Sequence, residues 1–313
     1  MRLILLIYDK LMILFRGVTM KDYQIFSDSS CDMPDELLKQ FDINIVPFYV
    51  SFDQETYYKE DVDISNEEFY RILLSKGIFP KTSLPSVQDY INKFEEALDQ
   101  GKDVLCLCIT QKFSGSYQAA INAKFILEEK YEDAKIYIVD SIQATGGQGI
   151  LLTQIGYMKQ AGYTIDECIT RIEEIKPTSR IMFTVDTLEY LAKGGRIGKV
   201  TSLAGNMLNL KPMIQLKEAE LIPYSNVRGR KKSLDKIIAM VIEYFEETGE
   251  NYVDYDFCLA NSTTMEDTLA VQAKLEELIG HKLAYPVFQI GVTIGTYTGP
   301  GAVGVCFVKK YNA

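Results

Sequence analysis

Residues 104–110 read VLCLCIT, a run of apolar and β-branched side chains with no alternation that would leave one face in water. A strand of that kind needs cover on both faces, the situation of a parallel sheet between helices. Helix-forming residues follow from Ser116, and the same succession recurs along the chain. Extended segments are expected at 23–27, 43–52, 104–110 and 135–140. Helical spacing is expected at 33–41, 66–76, 86–100, 116–130, 148–161 and 165–175. Asp35 and Glu36 open the first of these helices, where the positive end of the helix dipole favours acids. This alternation predicts an N-terminal α/β domain with a parallel sheet.

Beyond Lys176-Pro177-Thr178 the pattern changes. Strands are expected at 181–185, 213–216, 221–227, 257–261, 287–294 and 302–309, with helices at 187–192, 233–248 and 265–279. Lys217-Glu218-Ala219-Glu220 reads as a hairpin turn, and Thr298-Gly299-Pro300-Gly301 as the link between the last two strands. A smaller C-terminal α+β domain is expected over 178–313, after an α/β domain over 20–177. Residues 1–19 form an apolar stretch broken by Asp9, Lys10 and Arg16, with no small-residue cleavage site and too little length to span a bilayer. They read as an extension or a misassigned start, with the working chain opening at Met20. Nothing in the sequence points to an integral membrane protein.

The formal net charge of −10 opposes binding to a nucleic-acid backbone. One basic cluster stands out, Arg228-Gly229-Arg230-Lys231-Lys232. It reads either as a solvated turn before a helix or as a docking point for an acidic partner. Six cysteines occur without a CxxC pair, mostly inside apolar runs, which suits buried thiols in a reducing cytoplasm. Cys106 and Cys108, two apart on a strand, point to one face. With a single histidine, His281, and no carboxylates at ligand spacing, neither a metal site nor a cofactor is expected.

Three hydroxyl-rich stretches fall where strands of the first domain should end: Ser27-Asp28-Ser29-Ser30, Lys81-Thr82-Ser83-Leu84-Pro85-Ser86 and Ser114-Gly115-Ser116. Strand ends and the helix N-termini after them form the ligand crevice of open α/β sheets, and hydroxyls add donors for an anion. Serine and threonine also cap helices, so each stretch alone has a purely structural explanation. A nucleophilic Ser114 would require a base. His281 belongs to a helix C-terminus, and Lys112-Phe113-Ser114-Gly115-Ser116 does not form a G-x-S-x-G elbow. A Ser–Lys arrangement stays open, and with it the alternative of a serine-dependent acyl hydrolase. Thr145-Gly146-Gly147-Gln148-Gly149 lacks dinucleotide-loop spacing and reads as a turn into the next helix.

Taken in order, Asp28-Ser29, Thr82-Ser83-Leu84-Pro85-Ser86, Ser114-Gly115-Ser116-Tyr117, Leu191-Ala192-Lys193-Gly194-Gly195-Arg196-Ile197 and Gly295-Thr296-Tyr297-Thr298-Gly299-Pro300-Gly301 closely resemble the DegV family. These are fatty-acid-binding proteins that include the carrier subunit of bacterial fatty acid kinase. The resemblance runs from about Tyr23 to Phe307. It implies a long-chain fatty acid in a tunnel between two domains, its carboxylate held by Thr82 and Ser114. Arg196 and Tyr297 fall near the same mouth, with Ser83, Ser116, Asp28 and Ser29 in the headgroup's vicinity. It further implies a carrier without catalytic residues that presents the acid to a separate kinase. The family usually has histidine where this chain has Tyr297; a phenol donates a hydrogen bond but does not become a cation at neutral pH. That departure bears on the kinase step rather than on lipid binding. The apolar stretches 204–210 and 290–294 are candidates for the tunnel lining.

Overall fold

The computed structural model describes residues 21–204 and 209–313. The extension expected over 1–19 lies outside the described residues, as do residues 205–208 of the candidate lining stretch.

The first half lays down β1 (Tyr23–Asp28), α1 (Asp35–Phe41), β2 (Ile43–Val46), β3 (Tyr49–Ser51), β4 (Tyr58–Lys59), α2 (Asn66–Lys76), β5 (Lys81–Ser83), α3 (Val87–Leu98), β6 (Asp103–Cys108), α4 (Ser116–Glu128), β7 (Ile136–Asp140), α5 (Thr145–Gln160) and α6 (Ile165–Ile175). Four of these strands form the expected parallel sheet in the order β2-β1-β6-β7. Its outer face packs Phe26, Val104, Cys106 and Cys108 against Tyr90 and Phe94 of α3 and the alanine stripe Ala119, Ala120 and Ala123 of α4. The two strand cysteines share that face, their sulfurs 3.6 Å apart. The segment expected as one strand over 43–52 divides at Pro47. Its second part, β3, joins a separate antiparallel sheet ordered β4-β3-β5.

The second half contains β8 (Arg180–Thr184), α7 (Glu189–Lys193), β9 (Leu210–Lys217), β10 (Glu220–Arg228), α8 (Arg230–Thr248), β11 (Tyr255–Asn261), α9 (Met265–Ile279), β12 (Phe288–Gln289), α10 (Val292–Thr298) and β13 (Val303–Lys309). Its strands form one mixed sheet, β10-β9-β8-β13-β11-β12. The β9–β10 turn is the predicted hairpin, with Glu218 and Ala219 at φ 47° and 67° and Lys217 paired with Glu220. Two consecutive left-handed residues match the twist of the flanking strands. Helices α8 and α9 cover the outer face, burying Leu234, Ile237, Val241, Phe245, Val271 and Leu275.

Helix α5 lies between the two sheets and is buried nearly all round, as are the strand faces it touches. Gly146, Gly147 and Gly149, from the stretch expected as a turn into the helix, lie within it. A Cβ on Gly149 would stand 2.4 Å from the Phe288 ring, and one on Gly156 2.3 Å from Phe41. These glycines allow a helix to fit where an ordinary one would not. Residues 287–294, expected as a strand, pair only at β12 and then turn into α10.

Candidate functional site

A cavity of about 220 Å³ lies between the loops following β5 and β6, one face of α10, and the inner face of the mixed sheet. Its deep wall is apolar: Ile181 and Phe183 of β8, Leu216 of β9, Ala260 of β11 and Val303 of β13. Ile181, Leu216, Ala260 and Val303 are buried. The other end carries Thr82, Ser114, Arg196 and Tyr297, all half-buried, with the exposed Lys81 and Leu84 at its rim. Four residues expected at the headgroup therefore line one cavity.

Each arrives from a different element. Thr82 is the middle residue of β5, so strand alternation turns it to the opposite side from Lys81 and Ser83. Ser83 is exposed and does not line the cavity. Residues 81–83 thus belong to the small antiparallel sheet, not to the end of a parallel strand, and Ser86 caps α3. Ser114 sits in the turn between β6 and α4. Its Oγ accepts the Ser116 N–H at 3.2 Å, which leaves the hydroxyl proton free to donate. Ser116 itself is buried behind the wall, donating to Asp28 Oδ2 at 2.8 Å and lying 2.6 Å from the Tyr90 hydroxyl.

Asp28 therefore supports the Ser114 turn from beneath without lining the cavity. Its carboxylate also accepts from the Ile109 N–H, Ser30 Oγ and Gln148 Nε2. Complete burial raises its pKa, and these four hydrogen bonds oppose the shift. Ser29 points elsewhere, donating to Glu60 Oε2 at 2.5 Å.

Tyr297 enters from α10, its phenol 2.7 Å from Thr82 Oγ1. The ring passes over Gly194, where a Cβ would come within 2.3 Å of it, so the G-G-R block admits the aromatic side chain. Arg196 stacks on the same ring at 5.0 Å. Its Nε and Nη2 donate to the Phe113 carbonyl at 3.0 and 2.9 Å, and Nη1 to Gly194 O at 2.7 Å. The guanidinium is thus engaged in tying the Ser114 turn to the Gly194 loop.

The site gives Ser114 no base: its side chain's sole hydrogen bond among the described residues is the one from Ser116 N–H. Lys81 Nζ donates to the Lys193 carbonyl, and His281 lies exposed after α9, bonded to Lys282 O. Among the described residues no group of three or more His, Cys, Asp or Glu side chains is placed to hold a metal. None of residues 228–232 lines the cavity: Arg230 pairs with Asp267 at 2.7 Å and with Asp186 at 3.6 Å, while Arg228, Lys231 and Lys232 stay exposed.

The 290–294 stretch and Tyr297, expected at the lining and the mouth, do face the cavity; what sequence reasoning missed is that Thr293, Ile294 and Tyr297 do so from a helix, α10. Ile290, Thr293, Ile294 and Tyr297 all line the cavity. Their spacing i, i+3, i+4, i+7 is that of a helix face, and it was present in a segment whose β-branched residues read as strand.

An apolar pocket between the mixed sheet, α10 and the loops after β5 and β6, with hydroxyls and one guanidinium gathered at its half-buried end, defines a binding protein for an elongated amphiphile. The DegV-family profile matches residues 22–310, and the chain belongs to that family. A Thermotoga maritima protein named fatty acid-binding protein is 30% identical over 287 residues, 90% of this chain and 96% of its own. The solved structure of a stearic acid-binding protein from Eubacterium ventriosum aligns with a TM-score of 0.88 at 36% identity, covering 93% of this chain and 99% of its own. A DegV-family protein from Thermus thermophilus, described for its fatty acid binding, aligns at 0.82 with 27% identity, covering 92% and 99%.

Proposed function

We propose that the protein binds one long-chain fatty acid, tail inward, and carries it without transforming it. The observation that supports this most strongly is the cavity's polarity gradient, apolar walls leading to the Thr82, Ser114 and Tyr297 hydroxyls. Each buried methylene contributes about 0.8 kcal/mol, so a sixteen-carbon tail offers on the order of 10 kcal/mol before the cost of association. The headgroup donors have a different task. A desolvated carboxylate without partners is prohibitive, so the hydroxyls fix which end of the lipid stays at the surface.

In this reading Ser114 and the Thr82–Tyr297 pair hold the carboxylate, and Arg196 keeps their loops in place. Neutral donors leave the carboxylate oxygens more nucleophilic than a salt bridge would. That suits an acid presented to a separate kinase, with Arg228, Lys231 and Lys232 as the docking cations. Residues 20–177 and 178–313 then act as the two halves that enclose the lipid. Six buried, unpaired thiols suit a reducing compartment, and no helix among the described residues is long and apolar enough to cross a membrane. The binding proposal is tested by the melting temperature with added stearate or oleate, which should rise with ligand concentration. A melting temperature indifferent to both acids would remove it. Kinase presentation is tested by ATP-dependent acyl phosphate formation with a fatty acid kinase. Loaded protein that yields none would remove that step alone.

A further inference from the structure

Glu60 is 1% exposed, and among the described residues no cation faces it. Around it stand Asp32 and Asp61 from the neighbouring turns and the Tyr70 phenol of α2. Burial raises its carboxyl pKa to about 7. A buried acid without a counter-charge is costly, and chains tolerate such groups chiefly where a site requires them.

The carboxylate's partners identify what it holds. Oε1 accepts the Thr293 N–H at 2.8 Å, and Oε2 accepts the hydroxyls of Thr293 at 2.6 Å and Ser29 at 2.5 Å. Ser29 Oγ in turn accepts the Phe48 N–H at 2.9 Å. One side chain thus joins the end of β1, the cavity-lining Phe48 and the first turn of α10. That turn has no cap of its own, because its N-cap is Gly291, whose N–H is taken by Asp32 Oδ1 at 2.9 Å. Thr293 and Tyr297 are four apart on α10, hence on the same face, one turn from each other.

We propose that Glu60 is a positioning residue for the carboxylate end of the cavity. By fixing the first turn of α10 from outside the helix, it holds the Tyr297 phenol against Thr82, where the lipid headgroup is read. Glu60 does not touch the lipid. This role rests on the fatty-acid reading given above and adds to it the group that sets the geometry of the donor pair.

A double-mutant cycle separates positioning from general support. Affinities for stearate and 1-octadecanol are measured by displacement of a fluorescent fatty acid from wild type and, in a Thr82→Val background where Tyr297 alone supplies the pair's proton, from the parent, Glu60→Leu, Tyr297→Phe and the double variant. Glu60→Leu should lower the preference for stearate about tenfold, the scale of one hydrogen bond to a charged group. In the Tyr297→Phe background the same change should cost less than threefold, since the group it positions is already gone. Glu60→Gln, which still accepts from the Thr293 N–H, should restore most of the preference. Glu60→Asp keeps the charge but withdraws it by one methylene; it stands in if the leucine variant does not fold and must show the same dependence on Tyr297. Equal losses in both backgrounds, or equal losses of stearate and octadecanol, would overturn the positioning role while leaving the carrier reading intact. Wild-type protein that takes neither lipid would overturn both.

Discussion

Removing the Ser114 hydroxyl should cost more than removing that of Thr82, and the hydrogen-bond geometry gives the reason. Ser114 Oγ accepts from the Ser116 N–H and keeps its own proton for the ligand. Thr82 Oγ1 and the Tyr297 phenol lie 2.7 Å apart, so one of their two protons is used between them. The pair offers a single proton, and either member can supply it. A hydrogen bond to a charged group is worth about 1.5–3 kcal/mol. Ser114→Ala should therefore weaken stearate binding by about 2 kcal/mol, roughly thirtyfold. Thr82→Val frees the Tyr297 proton and should cost less than about 1 kcal/mol. Thr82→Val combined with Tyr297→Phe should cost about 2 kcal/mol, more than the two single changes added. Isothermal titration with stearate measures these values, and methyl stearate, whose ester still accepts a hydrogen bond but carries no charge, should show changes of about 1 kcal/mol or less throughout. Losses that are equal for acid and ester, or a Thr82→Val effect as large as that of Ser114→Ala, would refute the reasoning.

Gly194→Ala places a methyl 2.3 Å from the Tyr297 ring and should displace it, costing about 1–3 kcal/mol in stability and lowering stearate affinity; unchanged melting and affinity would show that the ring is free to move. Ala260→Leu narrows the apolar end, which excludes two or three methylenes and costs an eighteen-carbon acid about 2 kcal/mol while sparing a fourteen-carbon one; a competition titration across chain lengths reads the shift. Glu60 has its pKa raised by burial to about 7 from an ordinary 4.5, so the fold favours its protonated form. Its contribution to stability is fully present below about 4.5 and falls by about 3 kcal/mol as pH rises through 7. Melting temperatures of Glu60→Gln and wild type should diverge in favour of the variant across that window, and a constant difference would contradict the assignment.

Much of the architecture was legible because local chemistry and tertiary packing agree there. Thr164 and Glu167 form a capping box that starts α6, and its apolar residues repeat at helical spacing to Ile175. The unbroken apolar run of β6 demanded cover on both faces, and it has α3 and α4 on one side and α5 on the other. The α10 segment misled because its determinants are remote. Its β-branched residues favour a strand, yet Asp32 and Glu60, more than 200 residues earlier, take its first N–H groups and fix the helix. Gly149 in the first turns of α5 misled for a similar reason: its explanation is Phe288 pressing against the helix, which no local pattern records.

Within the site, the ordered hydroxyl blocks brought Thr82, Ser114, Arg196 and Tyr297 to one cavity. The pattern did not separate residues that face the cavity from those one step behind it. Ser116, Asp28 and Ser29 are spent on internal hydrogen bonds, and Ser83 faces solvent on the far side of its strand. Burial decides between these roles, and burial is a property of the assembled fold.

Denaturing extraction of the purified protein, followed by mass spectrometry, tests the carrier most directly. The account predicts close to one long-chain fatty acid released per chain, with exchange for added stearate before extraction. Protein that releases no fatty acid from any expression host, and takes up none when stearate is supplied, would contradict it.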